Sequence, residues 1–262
     1  MPAAGSRTVT DDLGASVELP AGPVNRVVSL VPSLTEALAA TRRESLVGVT
    51  DWCTHPADLD VPRVRGTKNP DRGAIEALSP ELVVCVQEEN RELDVRRLRE
   101  ADVPVWVGVI ESVDDALRVM RTLFVEVLGW GEPGWLAEAT RLLGGGSGDG
   151  SGGRPHTRVA VPIWRDPWMV VGSANYTTDL LGRTGMSNVF GEHAERYPHV
   201  EVEQVDGSGA DVVLLPDEPY VFTDDDGPEA FARTPTRLVS GRLLTWYGPA
   251  MIEAWEQLAA PR

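Results

Sequence analysis

LSPELVVCVQEEN (residues 78–90) and GSGADVVLLPDEP (residues 207–219) place the same parts in the same order in the two halves of the chain. Each has a polar turn, a short apolar run and an acidic loop. A short apolar run bounded by turn residues suits a strand buried on both faces. Outward from the first stretch lie three more such runs, RVVSLV (26–31), LVGVT (46–50) and VPVWVGV (103–109), with the helical segments LTEALAA and RELDVRRLREA among them. Ser33 and Glu36 have capping-box spacing at the first helix. Ser112 and Asp115 open another, whose Ala116, Leu117, Met120, Leu123, Phe124, Val127 and Leu128 share one face. Around the second stretch lie RVAVPI (158–163), the helix TTDLLGRTG, the strand RLVSG and a last helix from Pro249 through Trp255. Strand and helix alternate, which predicts an α/β fold. The doubled order predicts two Rossmann-like lobes with central, mainly parallel sheets, joined by a linking helix.

The expected organisation is a hairpin extension over 1–25, carried by TVTDDLGASVEL, and an N-terminal lobe over 26–130. A linking helix and glycine-rich tether follow over 131–156, and a C-terminal lobe over 157–262. Pro133 suits the first turn of a helix that ends at Leu143. GGGSGDGSGG (144–153) is seven-tenths glycine and cannot build a core.

The charge narrows the function. The 262 residues hold 24 Lys and Arg against 40 Asp and Glu, a net charge of −16. Nucleic-acid binding needs clustered cations to neutralise phosphates, so this balance argues against it. Eleven acids against Arg196 alone lie between Gly191 and Asp226, an expected acidic face. Lys68 is the only lysine. Two cysteines, Cys53 and Cys85, give neither a disulfide framework nor a thiolate cluster, and both are expected as buried thiols. MPAAGSRTVTDDLG has no basic segment leading into an apolar one, and no stretch is long and apolar enough to span a bilayer. An export signal and membrane insertion are therefore not expected.

Unusual residues follow the strands. TDWCTHP brings Asp51, Trp52, Cys53 and His55; RGTKNPDR brings Thr67, Lys68 and Asn69; WRDPW brings Trp164, Arg165, Asp166 and Trp168; TWYGP brings Trp246 and Tyr247. Indole and phenol rings offer broad apolar faces with one polar handle, which suits a flat amphipathic ligand. Trp52, Trp164, Trp168, Trp246 and Tyr247 are the candidate stacking residues. Lys68, Asn69 and Arg165 are the candidate anchors, with His55 and Thr67 beside them. No Gly-x-Ser-x-Gly elbow or Walker loop is present, and no Gly-x-Gly-x-x-Gly follows the first strand. Two other readings stay open: an enzyme using Asp51, His55 and Lys68 as acid and base groups, and a metal-ion receptor ligating through His55. No protein-held metal site is expected, because Asp51, Cys53 and His55 lack a fourth ligand.

RVVSLVPSLTEALAA, LVGVTDWCTHP, GTKNP leading into IEALSPELVVC, TDLLGRTGMSNVF and EQVDGSGADVVLLP together resemble the class III substrate-binding proteins of ABC importers, also called helical-backbone metal receptors. The resemblance runs from about Val9 through the whole chain. It implies two α/β lobes with cargo in an interlobe cleft, no enzymatic activity and no cofactor of its own. The implied ligand is cobalamin or another corrinoid, with a ferric siderophore or haem as the alternative. It also implies a monomer that delivers to an ABC permease from an extracytoplasmic compartment. Trp52 falls where cobalamin binders carry a cleft aromatic, and Thr67 and Lys68 fall where they carry another. Permease docking implies one acid on each lobe: Glu203 matches on the second, while Gly73 stands at the first-lobe position with Asp71 and Glu76 nearby. The missing export signal, the glycine at that position and the helix ending at Leu143 lead to the expectation of a cytoplasmic relative that binds a corrinoid without a permease.

Overall fold

The computed structural model describes residues 5–145 and 157–259; most of the expected glycine tether lies outside the described residues. The described chain divides into two compact units. The first holds the chain up to Ile110, Asp115–Ala139 and Tyr247–Pro249, and the second holds Glu111–Asp114, Thr140–Trp246 and the chain from Ala250 onward.

In chain order the first half gives β1 (Ser6–Thr10), β2 (Ser16–Pro20), β3 (Val27–Ser29), α1 (Pro32–Arg42), β4 (Leu46–Val49), β5 (Arg65–Gly66), β6 (Asn69–Pro70), α2 (Arg72–Ala77), β7 (Leu82–Val86), α3 (Glu92–Glu100) and β8 (Val105–Gly108). Then come α4 (Val113–Arg121), running on into a π-helical turn over Thr122–Val127, and α5 (Gly134–Leu143). The main sheet has the order β4-β3-β7-β8, with every pair parallel. Val28, Leu30, Val83, Cys85, Val105 and Val107 alternate along three strands and pack on Ile75 of α2 and Val95 and Leu98 of α3. The intervening Val27, Val84, Val86 and Trp106 are buried as well, so both sheet faces are covered. That is why the strands read as continuous apolar runs. Burial raises the thiol of Cys53 and pushes that of Cys85 up to about 12.

The β1–β2 hairpin packs on the edge of this sheet. The Asp12 N–H donates to the Val107 carbonyl at 3.1 Å, and the Asp12 carboxylate accepts from Val109 N–H at 2.8 Å and pairs with Arg118 at 2.9 Å. Next to it the buried Asp11 carboxylate pairs with Arg99.

The second half gives β9 (Thr157–Ala160), β10 (Pro162–Trp164), β11 (Met169–Val170), α6 (Tyr176–Arg183), β12 (Met186–Asn188), α7 (Val202–Asp206), β13 (Val212–Pro216), β14 (Thr236–Val239), α8 (Gly241–Thr245) and α9 (Ala250–Leu258). Its main sheet, β12-β9-β13-β14, is again all parallel. Counted within each main sheet, the order is second, first, third, fourth in both. The echoed stretches therefore occupy one position, since β7 and β13 are each third. Their flanking acids repeat too: Glu81 accepts from the backbone N–H of Asn25 at 2.6 Å, and Asp211 accepts from that of Arg158 at 2.7 Å.

Two local expectations are corrected. The first helix has Val31 as its N-cap and no side-chain cap, so Ser33 and Glu36 form no capping box. Pro32 at the first helical position starts the helix early and leaves Ser33 inside its first turn. RVAVPI is not one strand: β9 stays in the parallel sheet, while β10 pairs antiparallel with β11. Pro162 lacks the N–H that would continue the ladder. Among the described residues no helix is long and apolar enough to cross a membrane.

Candidate functional site

In both sheets the first and third strands are neighbours, and the second strand lies on the far side of the first. The crevice above the carboxyl ends of such a pair is where open α/β sheets bind ligands. In the first unit this point is occupied by Asn90, which is buried. Its Oδ1 accepts from Val86 N–H at 3.0 Å, and its Nδ2 donates to the carbonyls of Leu30 at 3.3 Å and Thr67 at 3.2 Å. One amide thus joins the end of β3, the end of β7 and the β5–β6 hairpin. Lys68, exposed at the tip of that hairpin, donates from Nζ to the Glu88 carbonyl at 2.5 Å and ties the hairpin to the β7 loop a second time. Asn90 was not singled out from the sequence. An Asn shortly after a strand has many local uses, and nothing in the order of residues shows that three loops meet there.

Trp52 stands beside this frame and is 65% exposed. Its loop is held from below by Arg63, which donates to the carbonyls of Thr50 at 3.0 Å, Cys53 at 2.8 Å and Leu59 at 3.3 Å. The buried Cys53 sulfur meets the hydroxyls of Thr35 at 3.0 Å and Thr50 at 3.1 Å. The Trp52 indole edge lies over Gly66, where a Cβ would come within 3.1 Å of its Nε1 and 2.5 Å of Asn69 Oδ1. Gly66→Ala is therefore expected to displace Trp52 and Asn69 while the sheet stays intact, and a shift in tryptophan emission with unchanged far-UV circular dichroism would register it.

His55 is exposed, with Nδ1 3.1 Å from the Thr54 hydroxyl, whereas Cys53 is buried. Among the described residues no group of three or more His, Cys, Asp or Glu side chains is placed to hold a metal ion.

The aromatic candidates separate by burial. Trp164 is 44% exposed, but Trp168 is 8% exposed and packs in the second unit's core with Val170, Val213 and Leu215. Trp246 and Tyr247 are also buried. The Trp246 carbonyl accepts from the Tyr176 hydroxyl at 3.2 Å, and its ring lies beside Arg242, 5.9 Å away. Tyr247 belongs to the first unit, where its hydroxyl donates to Glu89 at 3.3 Å. The five candidate rings thus differ in exposure: Trp52 and Trp164 present faces to solvent, and Trp168, Trp246 and Tyr247 are buried. In WRDPW the two indoles flank the turn between β10 and β11, and spacing alone does not say which faces inward.

Arg165 is committed to the protein. It pairs with Asp226, pairs with Glu229 at 2.7 Å and lies over the Trp168 ring at 5.2 Å. The Glu229 hydrogen bond leads the effects that raise its guanidinium pKa. Of the acids expected near a permease, Asp71 accepts from Ala74 N–H at 3.1 Å as the N-cap of α2 and pairs with Arg65 at 3.5 Å. Glu76 and Glu203 are exposed.

At the other end of the first sheet, a concavity of about 750 Å³ opens between the hairpin and the starts of β7 and β8, lined by Ser6, Glu18, Glu81, Arg99 and Val103 among others. It faces the amino ends of the strands, away from Trp52 and Lys68.

Two units of parallel sheet in one shared strand order define an α/β fold of the periplasmic-binding-protein kind. No protein-family model matches the chain. Over 190 residues it is 25% identical to the vitamin B12-binding protein of Vibrio parahaemolyticus, covering 70% of this chain and 67% of that one. Among solved structures, the periplasmic vitamin B12 binding protein of Vibrio cholerae superposes with a TM-score of 0.69 at 17% identity, covering 90% of this chain and 96% of that one. A periplasmic haem-binding protein from Pseudomonas aeruginosa gives a TM-score of 0.75 at 20% identity, covering 90% and 92%. In sequence and in fold the chain resembles the class III substrate-binding proteins of ABC importers.

Proposed function

We propose that this protein binds a corrinoid, with cobalamin the favoured cargo, as the substrate-binding component of an ABC importer. The observation that carries the reading is Trp52. It is a largely exposed indole, held by its loop at the carboxyl ends of a parallel sheet beside the protein's one lysine, in a chain similar to proteins named for vitamin B12 binding. An exposed ring costs solvation unless something covers it, and a flat corrin face is a suitable cover. Lys68, Thr67 and Asn69 supply polar contacts at the edge of the ring, where cobalamin carries amides. On the second unit Trp164 offers an exposed apolar face of its own. Glu76 and Glu203, both exposed, are the acids available for permease docking. A relative working without a permease binds the same cargo and leaves those acids unused, and association with permease-containing vesicles separates the two versions.

Titration with cyanocobalamin, haemin and a ferric siderophore, read by tryptophan quenching, tests the reading. Saturable quenching strongest with cyanocobalamin is expected. A response to haemin alone or to the siderophore alone would transfer the protein to that cargo, and turnover of any ligand would favour the enzyme reading built on Asp51, His55 and Lys68.

A further inference from the structure

Trp164 is the surface end of a file of aromatic rings that runs into the second unit's core. Its ring meets Tyr220 edge to face at 5.7 Å and 77°. Tyr220 meets Phe222 at 4.7 Å, Phe222 stacks on Trp168 at 5.9 Å and 13°, and Trp168 meets Phe231 edge to face at 5.4 Å. The file brings together β10, the start of β11 and the loop that follows β13. That loop also carries Val221, whose side chain is 63% exposed between Tyr220 and Phe222. Four ring contacts in succession, the first and last of them edge to face, fix ring orientations, so the exposed end of the file is a rigid surface.

A polar chain runs alongside. The Tyr220 hydroxyl donates to Asp226 at 2.6 Å, Asp226 pairs with Arg165, and Arg165 also pairs with Glu229 at 2.7 Å. Asp226 further closes the loop through its backbone, donating to and accepting from Thr223. Arg165 thus links the end of β10, which bears Trp164, to the loop that bears Tyr220. Both carboxylates bond to one guanidinium nitrogen, Nη1, so the charge of Arg165 is met within the loop.

We propose that the second unit contacts cargo through an apolar corner formed by Trp164 and Tyr220, and that Arg165 is the positioning residue of that corner rather than a contact of its own. The proposal rests on the binding reading above and extends it to two residues with no part in that reading. Asp166, Asp224 and Asp225 are exposed around the corner, so it suits the uncharged, amide-edged face of a corrinoid better than a carboxylate-bearing chelate.

The test is titration of the full chain with cyanocobalamin and with haemin, for wild type, Tyr220→Ala, Arg165→Lys, Arg165→Gln and the double variant Tyr220→Ala/Arg165→Gln. Tyr220→Ala is expected to weaken cyanocobalamin binding about tenfold, and Arg165→Gln several-fold. The double variant should be no weaker than about the Tyr220→Ala level, because Arg165 acts through Tyr220. Arg165→Lys, which keeps the charge but loses the fork, should fall between wild type and Arg165→Gln, and it serves in the cycle if the glutamine variant does not fold. Wild-type affinity in Tyr220→Ala would overturn the corner and leave the binding reading standing. Multiplying losses in the double variant would overturn the positioning role and return Arg165 to direct contact. If wild type takes up neither chromophore, the binding reading falls and takes the corner with it.

Discussion

Trp52→Ala is expected to weaken corrinoid binding about 10- to 100-fold, a loss of about 1.4–2.7 kcal/mol, while leaving the melting temperature within about 1–2 °C of wild type. The two halves of that expectation have one origin. The indole is 65% exposed, so its removal leaves no cavity in the core, and surface changes of this kind stay within about 0.5 kcal/mol. The same exposure makes the ring available to cover, and be covered by, a flat ligand. Arg63 holds the Trp52 loop through the carbonyls of Thr50, Cys53 and Leu59, so little ordering entropy remains to oppose binding. Ligand titration and a thermal melt of the same variant check both halves. Equal losses in affinity and stability would mean that Trp52 serves the fold instead.

Asn90→Ala is expected to act the other way round, on the fold first. It leaves the Val86 N–H and the carbonyls of Leu30 and Thr67 without their partner at a buried point. A buried group left unpaired costs about 1–3 kcal/mol, so a loss of about 3 kcal/mol is expected, or a fall of about 8 °C in melting temperature for a chain of this size. Affinity should fall as well, because the hairpin bearing Lys68 then loses one of its ties to the β7 loop. Chemical denaturation gives the first number and titration below the transition the second. A variant as stable as wild type would show that the three loops are held together by other means.

The strand framework was legible because each buried strand is a short apolar run between turn signals, and because the β7 and β13 stretches repeat one pattern. Both prove to be the third strand in the same order. What the order of residues does not carry is which side of a turn a ring faces. Trp164 and Trp168 lie four apart around one turn, and the core takes the second. Adjacent Trp246 and Tyr247 read as a pair, yet the chain passes from one unit to the other between them, and each is buried in its own surroundings. Arg165 looked like a free cation because its acids, Asp226 and Glu229, are more than 60 residues away. The place of Tyr220 in the aromatic file was hidden in an acidic loop. The signal available was the alternation of Tyr220 and Phe222 around Val221, the spacing that puts two rings on one side of an extended segment.

Lys68 was conspicuous from composition alone, and its placement gives that conspicuousness a physical content. Its ammonium bridges the hairpin to the Glu88 carbonyl and still lies at the exposed tip, where a polar ligand edge can share it. A lysine offers three donors, so one bond to a carbonyl leaves others for cargo.

The central claim is that this chain carries a corrinoid, and calorimetric titration of the purified protein with cyanocobalamin tests it most directly. A 1:1 complex is expected, with a dissociation constant in the micromolar range or tighter, about −8 kcal/mol or better, and a negative heat-capacity change from burying Trp52 against the ligand. No heat of binding at protein concentrations of about 100 μM, with haemin or a ferric siderophore titrating normally in the same cell, would contradict it.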